Sequence, residues 1–232
     1  MPPNPVEGLS QKRSNRWYRY LNPPLPLYLN PKELEGQPPL GRWNLYIGGA
    51  GSNVDGYVNV DLYPLPGVDV ACDAENLPFR HDTFQRVECD AVLEHTPDPK
   101  ALVGEIRRCL KLGGFVHVVT PFCHPFHEYP RDYYRFSLDG LQKLVDPLEV
   151  VSMGWRTGPT ATLLVVTLEY LKLWSSNRLI KQLVHVVAGW LLFPLRYLDW
   201  YLLRKPDARQ IGNHCYVWAR KSESGTQDRK VQ

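Results

Sequence analysis

The sequence predicts an α/β fold on a doubly wound, mostly parallel sheet, and three observations point to it. Short β-branched runs recur between residues 44 and 153 with few polar positions, as strands covered on both faces require. Between the fourth and fifth runs, Leu102, Ile106 and Cys109/Leu110 repeat at helical spacing. Glycines or acids follow one run after another, and the carboxyl ends of parallel strands are where such sheets hold ligands.

Taken in order, the expected strands are Asn44–Ile47, Tyr57–Val60, Val68–Ala71, Phe84–Asp90, Phe115–Thr120, Glu149–Met153 and a final His214–Arg220. The helix before the fifth strand should run from about Pro99 to Leu112, with Gly113-Gly114 as a left-handed stop. Ser137 suits the N-cap of a shorter helix. The crossovers are unusually short, with nine residues between Ile47 and Tyr57 and six between Asp61 and Val68. A parallel crossover with its helix takes about a dozen or more, so the first two helices are expected to be reduced to turns.

The chain divides into three segments. Residues 1–40 form an arm rich in proline that carries Trp17, Tyr18, Tyr20 and Tyr28; residues 41–220 make the main domain; and the polar stretch 221–232 is expected to be disordered. Within the domain, residues 161–203 form an apolar helical insertion before the last strand. Glu169, Lys172, Lys181, Arg196 and Asp199 interrupt it and Pro194 would kink it, which argues against a simple membrane span. Its flanking cations and Trp174, Trp190 and Trp200 suit a membrane surface, while a lid or a homodimer contact is an equal alternative. As lid or surface, the insertion is expected to set acceptor choice.

Composition narrows the function. With 232 residues, 44% of them apolar, the chain can fill a core. A formal charge of +3 with no Lys/Arg stripe argues against a nucleic-acid partner. Five scattered cysteines without C-x-x-C spacing suggest a reducing, cytoplasmic setting, and the N-terminus lacks the apolar run of an export signal.

The strand ends carry the chemistry. Gly48-Gly49-Ala50-Gly51 follows the first strand and would let a ligand lie against the backbone. Asp61 ends the second, where a carboxylate can accept from both hydroxyls of a ribose. Asp73-Ala74 follows the third and suits the edge and face of an adenine ring, and Leu93-Glu94-His95 follows the fourth. A dinucleotide fingerprint fits poorly, because Val54 stands where its third glycine would open a helix.

These motifs, with Leu110-Lys111-Leu112-Gly113-Gly114, resemble those of the class I S-adenosyl-L-methionine (SAM)-dependent methyltransferases. The closest group is the "type 11" one that includes quinone-biosynthesis enzymes and many found beside glycan and natural-product pathways. The resemblance covers about residues 44–155 and implies a Rossmann-like fold whose last strand is antiparallel. It implies that Gly48, Gly49 and Gly51 face the methionine portion of SAM and Asp61 the ribose. Asp73 and Ala74 would contact the adenine, and Glu94 and His95 would line the methyl-transfer chamber.

The segment Pro121–Phe136 combines His124, His127, Glu128, Asp132 and Arg135 with six aromatics, including Tyr133. Loops of this kind on a rigid scaffold often carry chemistry. One reading makes His127 or His95 the base for an acceptor hydroxyl, oriented by Asp132 or Glu128, with His124, Glu128, Tyr133 and Arg135 on the acceptor. A second reading is structural, with the aromatics in the core and Arg135 paired to Asp132. A metal is not expected, since Pro125 and Pro130 disfavour a helical ligand pair. The expected activity is O-methylation of a sugar, glycolipid or lipid-linked intermediate. The alternatives are a soluble secondary metabolite as acceptor, or a non-catalytic partner subunit of the same fold.

Overall fold

The computed structural model describes residues 21–24, 26–128 and 130–222. Trp17, Tyr18, Tyr20, Tyr129 and the tail from 223 lie outside the described residues, as does the disorder expected of that tail. The chain divides into two compact units.

The larger unit, residues 32–121, 131–154 and 215 onward, holds most of the sheet. Its strands are β1 (Asn44–Ile47), β2 (Val58–Asp61), β3 (Val70–Ala71), β4 (Phe84–Asp90), β5 (Leu110–Pro121), β6 (Glu149–Thr157) and β7 (His214–Arg220). The sheet order is β3-β2-β1-β4-β5-β7-β6. β1 to β5 pair in parallel, whereas Gly113 and Gly114 at the start of β5 exchange backbone bonds with Lys221, just past the end of β7. β7 therefore runs against the rest, as the resemblance implies.

No helix joins β1 to β2 or β2 to β3, so the short crossovers are turns, as their lengths require. Helix α1 (Pro99–Cys109) has Asp98 as N-cap, accepting from the N–H groups of Lys100 and Ala101, and buries Leu102, Val103, Ile106 and Cys109. Helix α2 (Leu138–Leu144) starts at Ser137, whose Oγ accepts from Gly140 N.

The stop assigned to Gly113-Gly114 needs correcting. α1 ends three residues sooner, and Leu110 is already extended at φ −68° and ψ 137°. Leu110 pairs with Phe84 but Phe115 with Arg86, so residues 111–114 bulge out of the strand and Gly113 takes φ +75° to allow it.

Strand alternation gives the sheet two unlike faces. One carries Val87, Cys89, Val116 and Val118, all buried. The other carries Arg86, Glu88, His117, Tyr216 and Trp218. There Glu33, from the 3₁₀ turn Pro31–Leu34, lies 3.1 Å from His117 Nε2, and Glu88 lies 2.8 Å from His117 Nδ1. Arg86 Nε is 2.6 Å from Glu88, and the Trp218 indole stacks on the His117 ring at 4.2 Å and 9°. A charge cluster thus occupies one face of the sheet.

The smaller unit contains the described residues up to 31, residues 122–130 and residues 155–214. Its α-helices are α3 (Pro159–Leu173), α4 (Arg178–Leu192) and α5 (Asp199–Leu202), with a 3₁₀ segment Phe193–Leu198 where Pro194 breaks the helix. Asp199 is fully buried and accepts from Thr160 N at 2.8 Å and Ala161 N at 3.0 Å, capping α3 from 38 residues away. Gly158 makes room, since a Cβ there would lie 2.6 Å from that carboxylate. Tyr28 of the arm meets Tyr197 edge to face.

Candidate active site

In the larger unit, the ends of β1 to β4 bring the candidate cofactor residues to one edge of the sheet. The turn after β1 is left-handed at Gly48 (φ +80°), Ala50 (φ +48°) and Gly51 (φ +80°). Gly48 is required twice over, because a Cβ there would lie 2.2 Å from Val92 Cγ2. Asp61, 6% exposed, accepts from Ala50 N at 2.9 Å through Oδ2 and from Tyr63 N at 3.3 Å through Oδ1. The ribose candidate therefore also holds the glycine turn in shape.

After β3, Asp73 Oδ1 accepts from Glu75 N at 2.9 Å, closing a tight turn. Glu75 in turn accepts from Asp98 N at the start of α1. After β4 the backbone is strained at Ala91, with φ +54° on a residue that has a Cβ. The single 3₁₀ turn Leu93–His95 follows. Glu94 is fully buried, accepts from Thr120 Oγ1 at 3.4 Å, and through its carbonyl accepts from the N–H groups of Tyr133 and Tyr134. The segment from Arg131 is thereby tied to the end of β4.

His95 Nδ1 lies 2.5 Å from the carbonyl oxygen of Arg131. A carbonyl only accepts, so Nδ1 carries the proton and, in the neutral ring, Nε2 carries the lone pair. The Glu94 carboxylate is 3.8 Å from that nitrogen. Asp132 makes a two-point ion pair with Arg135, which is the structural reading of those two residues. Its carboxylate is buried in that pair. Tyr133 is largely exposed.

The smaller unit holds the histidines that follow β5. His124 packs edge-on against His127 and at a tilt of 58° against His214, with ring centroids 5.0 Å apart in both pairs. Asn213 Oδ1 faces His124 Nδ1 at 3.2 Å and His214 Nδ1 at 2.7 Å, and the Asn213 amide donates to Cys123 O. His127 Nδ1 faces the Pro125 carbonyl at 3.2 Å. Glu128 is exposed. Sequence reasoning passed over Asn213 and His214; a polar pair opening an otherwise apolar strand was the available signal. It also passed over Ala91, because backbone strain has no signature in composition.

The groups present suit SAM. Asp61 offers about four acceptor positions and Ala50 and Tyr63 use two of them. The turn after β1 opens no helix, which suits a ligand without a phosphate better than a dinucleotide.

Comparisons with known proteins point to methyltransferases. Residues 58–118 match a methyltransferase domain family, from β2 through most of β5 and including Asp61, Asp73 and Glu94. A 62-residue segment is 43% identical to rice 2-methyl-6-phytyl-1,4-hydroquinone methyltransferase 1, covering 26% of this chain and 18% of that protein. An 83-residue segment is 28% identical to the ubiquinone/menaquinone biosynthesis C-methyltransferase of Desulfotalea psychrophila, covering 34% of each. The chain thus matches well under half the length of these relatives. Among solved structures, the [4+2]-cyclase SpnF superimposes with a TM-score of 0.51 at 16% identity, over 79% of this chain and 76% of that one. Haemonchus contortus phosphoethanolamine N-methyltransferase 2 with SAM gives 0.50 at 20% identity, over 83% and 51%. Over residues 58–118 the chain is therefore similar to a methyltransferase domain family, and that segment lies within a sheet of order β3-β2-β1-β4-β5-β7-β6.

Proposed function

We propose that the chain transfers a methyl group from SAM to a hydroxyl of a sugar, glycolipid or other lipid-linked acceptor. Fold alone does not decide the activity, since a [4+2]-cyclase shares it. The observation that carries the reading is the gathering of the glycine turn, Asp61, Asp73 and Glu94-His95 at adjacent strand ends.

In this reading SAM supplies an activated methyl sulfonium. Asp61 and the turn at Gly48–Gly51 hold the ribose and methionine portions, and Asp73 and Ala74 take the adenine. An oxygen nucleophile must lose its proton as it attacks. His95 suits that step, because its Nδ1–H on Arg131 O puts the lone pair of the neutral ring on Nε2, the atom that would take the proton. The neighbouring Glu94 carboxylate then stabilises the imidazolium. His127, with its own Nδ1 on a carbonyl, is the second candidate. The histidines and acids suit deprotonation of oxygen, which an amine acceptor needs less.

A second reading is favoured by the relatives: methylation of a ring carbon of a lipid-tailed quinol. Loss of a phenolic proton activates that carbon, so the same base would serve. Incubation with methyl-labelled SAM and separate pools of glycolipids, quinols and small phenols tests both. A labelled methyl ether supports the first reading and a labelled ring carbon the second. Absence of transfer to any pool, with SAM bound, would favour a non-catalytic role.

A further inference from the structure

We infer that the smaller unit docks on an anionic membrane surface through the outer faces of α3 and α4. The apolar residues there are arranged opposite to those of an ordinary surface helix. On α3 the stripe Thr160, Ala161, Leu164 and Leu168 is buried, yet the opposite stripe Leu163, Val166 and Tyr170 is exposed and apolar rather than polar. On α4 only Gly189 is buried, under Pro23 of the arm, while Ile180, Leu183, Val187 and Leu191 are exposed. At the turn between the helices Leu173, Trp174 and Leu179 are 78%, 77% and 73% exposed. Exposed apolar side chains in this number, on two successive helices and the turn between them, mark an interaction site.

Charge selects the partner. Residues 159–212 hold seven Lys and Arg against three acids. Of those acids Asp199 is buried in the α3 cap and Glu169 pairs with Lys172. The cations lie among the aromatics: Arg204 is 3.9 Å over Trp200, Lys205 4.7 Å over Tyr201, and Arg196 4.0 Å over Phe193. Exposed Trp and Tyr beside Lys and Arg match a surface whose tails are apolar and whose headgroups are anionic.

The fold favours lying on the bilayer over crossing it. Arg178–Leu202 is long and apolar enough to span by length and composition. The run breaks, however, into a 3₁₀ segment at Phe193, carries Arg196, and is anchored by Asp199 to the start of α3. As continuous α-helix, α3 and α4 have 15 residues each, or roughly 22 Å, against an apolar bilayer thickness of ~30 Å.

The test is sedimentation of the intact chain with phosphatidylcholine vesicles, with and without about one-third phosphatidylserine. Co-sedimentation with the anionic vesicles is expected, weaker by tenfold or more in about 1 M salt, where screening shortens to ~3 Å. Leu173→Ser/Trp174→Ser/Leu179→Ser should reduce vesicle binding at least tenfold and leave thermal unfolding and SAM affinity unchanged, because these side chains are exposed. Failure to bind anionic vesicles overturns the inference, as does equal binding to neutral ones. Resistance to alkaline extraction would show a span instead. A dimer that the triple variant dissociates, in a protein that ignores vesicles, would assign the face to a second copy. SAM affinity measured on the same samples separates failure of this inference from failure of the methyltransferase reading.

Discussion

Asp61 has two tasks, and that shapes what its removal should do. Asp61→Ala takes away the candidate ribose acceptor and also the bond that holds Ala50 N. SAM affinity is expected to fall about ten- to hundredfold, measured by calorimetry. Asp61→Asn keeps an acceptor for the turn and should fall less. An unchanged dissociation constant in the alanine variant would remove Asp61 from the cofactor site. Gly48 offers a cleaner steric case. Gly48→Ala combines φ +80° with a 2.2 Å approach to Val92 and should destabilise the larger unit by roughly 2 kcal/mol, read by urea unfolding. For the base, His95→Ala should lower turnover about 100-fold while SAM affinity holds. Steady turnover in that variant moves the role to His127, whose alanine variant is assayed alongside.

At the scale of elements, the informative cases are those where the chain took a different route from its local signals. Gly113-Gly114 has the composition of a helix stop, and α1 nevertheless ends at Cys109 because β5 begins to pair with Phe84 at Leu110. Pairing with the sheet outweighed the local signal, and the glycines were used for a bulge. Asp199 reads as an interruption of an apolar run, yet it is buried as the cap of α3. Asp199→Ala leaves two amides at a buried helix start without their acceptor and should cost about 2 kcal/mol. In thermal unfolding that is a fall of roughly 4–8 °C for a chain of this size. An unchanged melting temperature would show that the cap contributes nothing.

For the whole molecule, the cluster Glu33–His117–Glu88–Arg86 makes stability depend on pH. Burial opposes the charged imidazole, but the hydrogen bonds to Glu33 and Glu88 outweigh it and hold the His117 pKa above its ordinary value. A group whose folded pKa is raised adds stability that is complete below the unfolded value of about 6.5. That stability is lost as pH rises through the folded value. His185 has the opposite sign, because burial lowers its pKa. The contribution of His117 is therefore read as a difference: wild type should lose more melting temperature than His117→Gln as pH rises above about 6.5. Parallel pH profiles would show that His117 does not titrate with folding.

The sequence by itself determined the strands, the two helices at Pro99 and Ser137, the reduced crossovers and the order of motifs at the strand ends. Those features rest on local chemistry: hydrophobic periodicity, caps, glycine turns and chain length between runs. The match over residues 58–118 falls within the stretch where those signals are densest. Only the tertiary structure decided that Asp132 is committed to Arg135, that Arg131 fixes the His95 tautomer, and that Asn213 bridges His124 and His214. It also decided that α3 and α4 leave their apolar stripes exposed. Hydrogen-bond partners distant in sequence and the side of a helix that meets protein depend on how elements pack, and periodicity along one chain does not encode either.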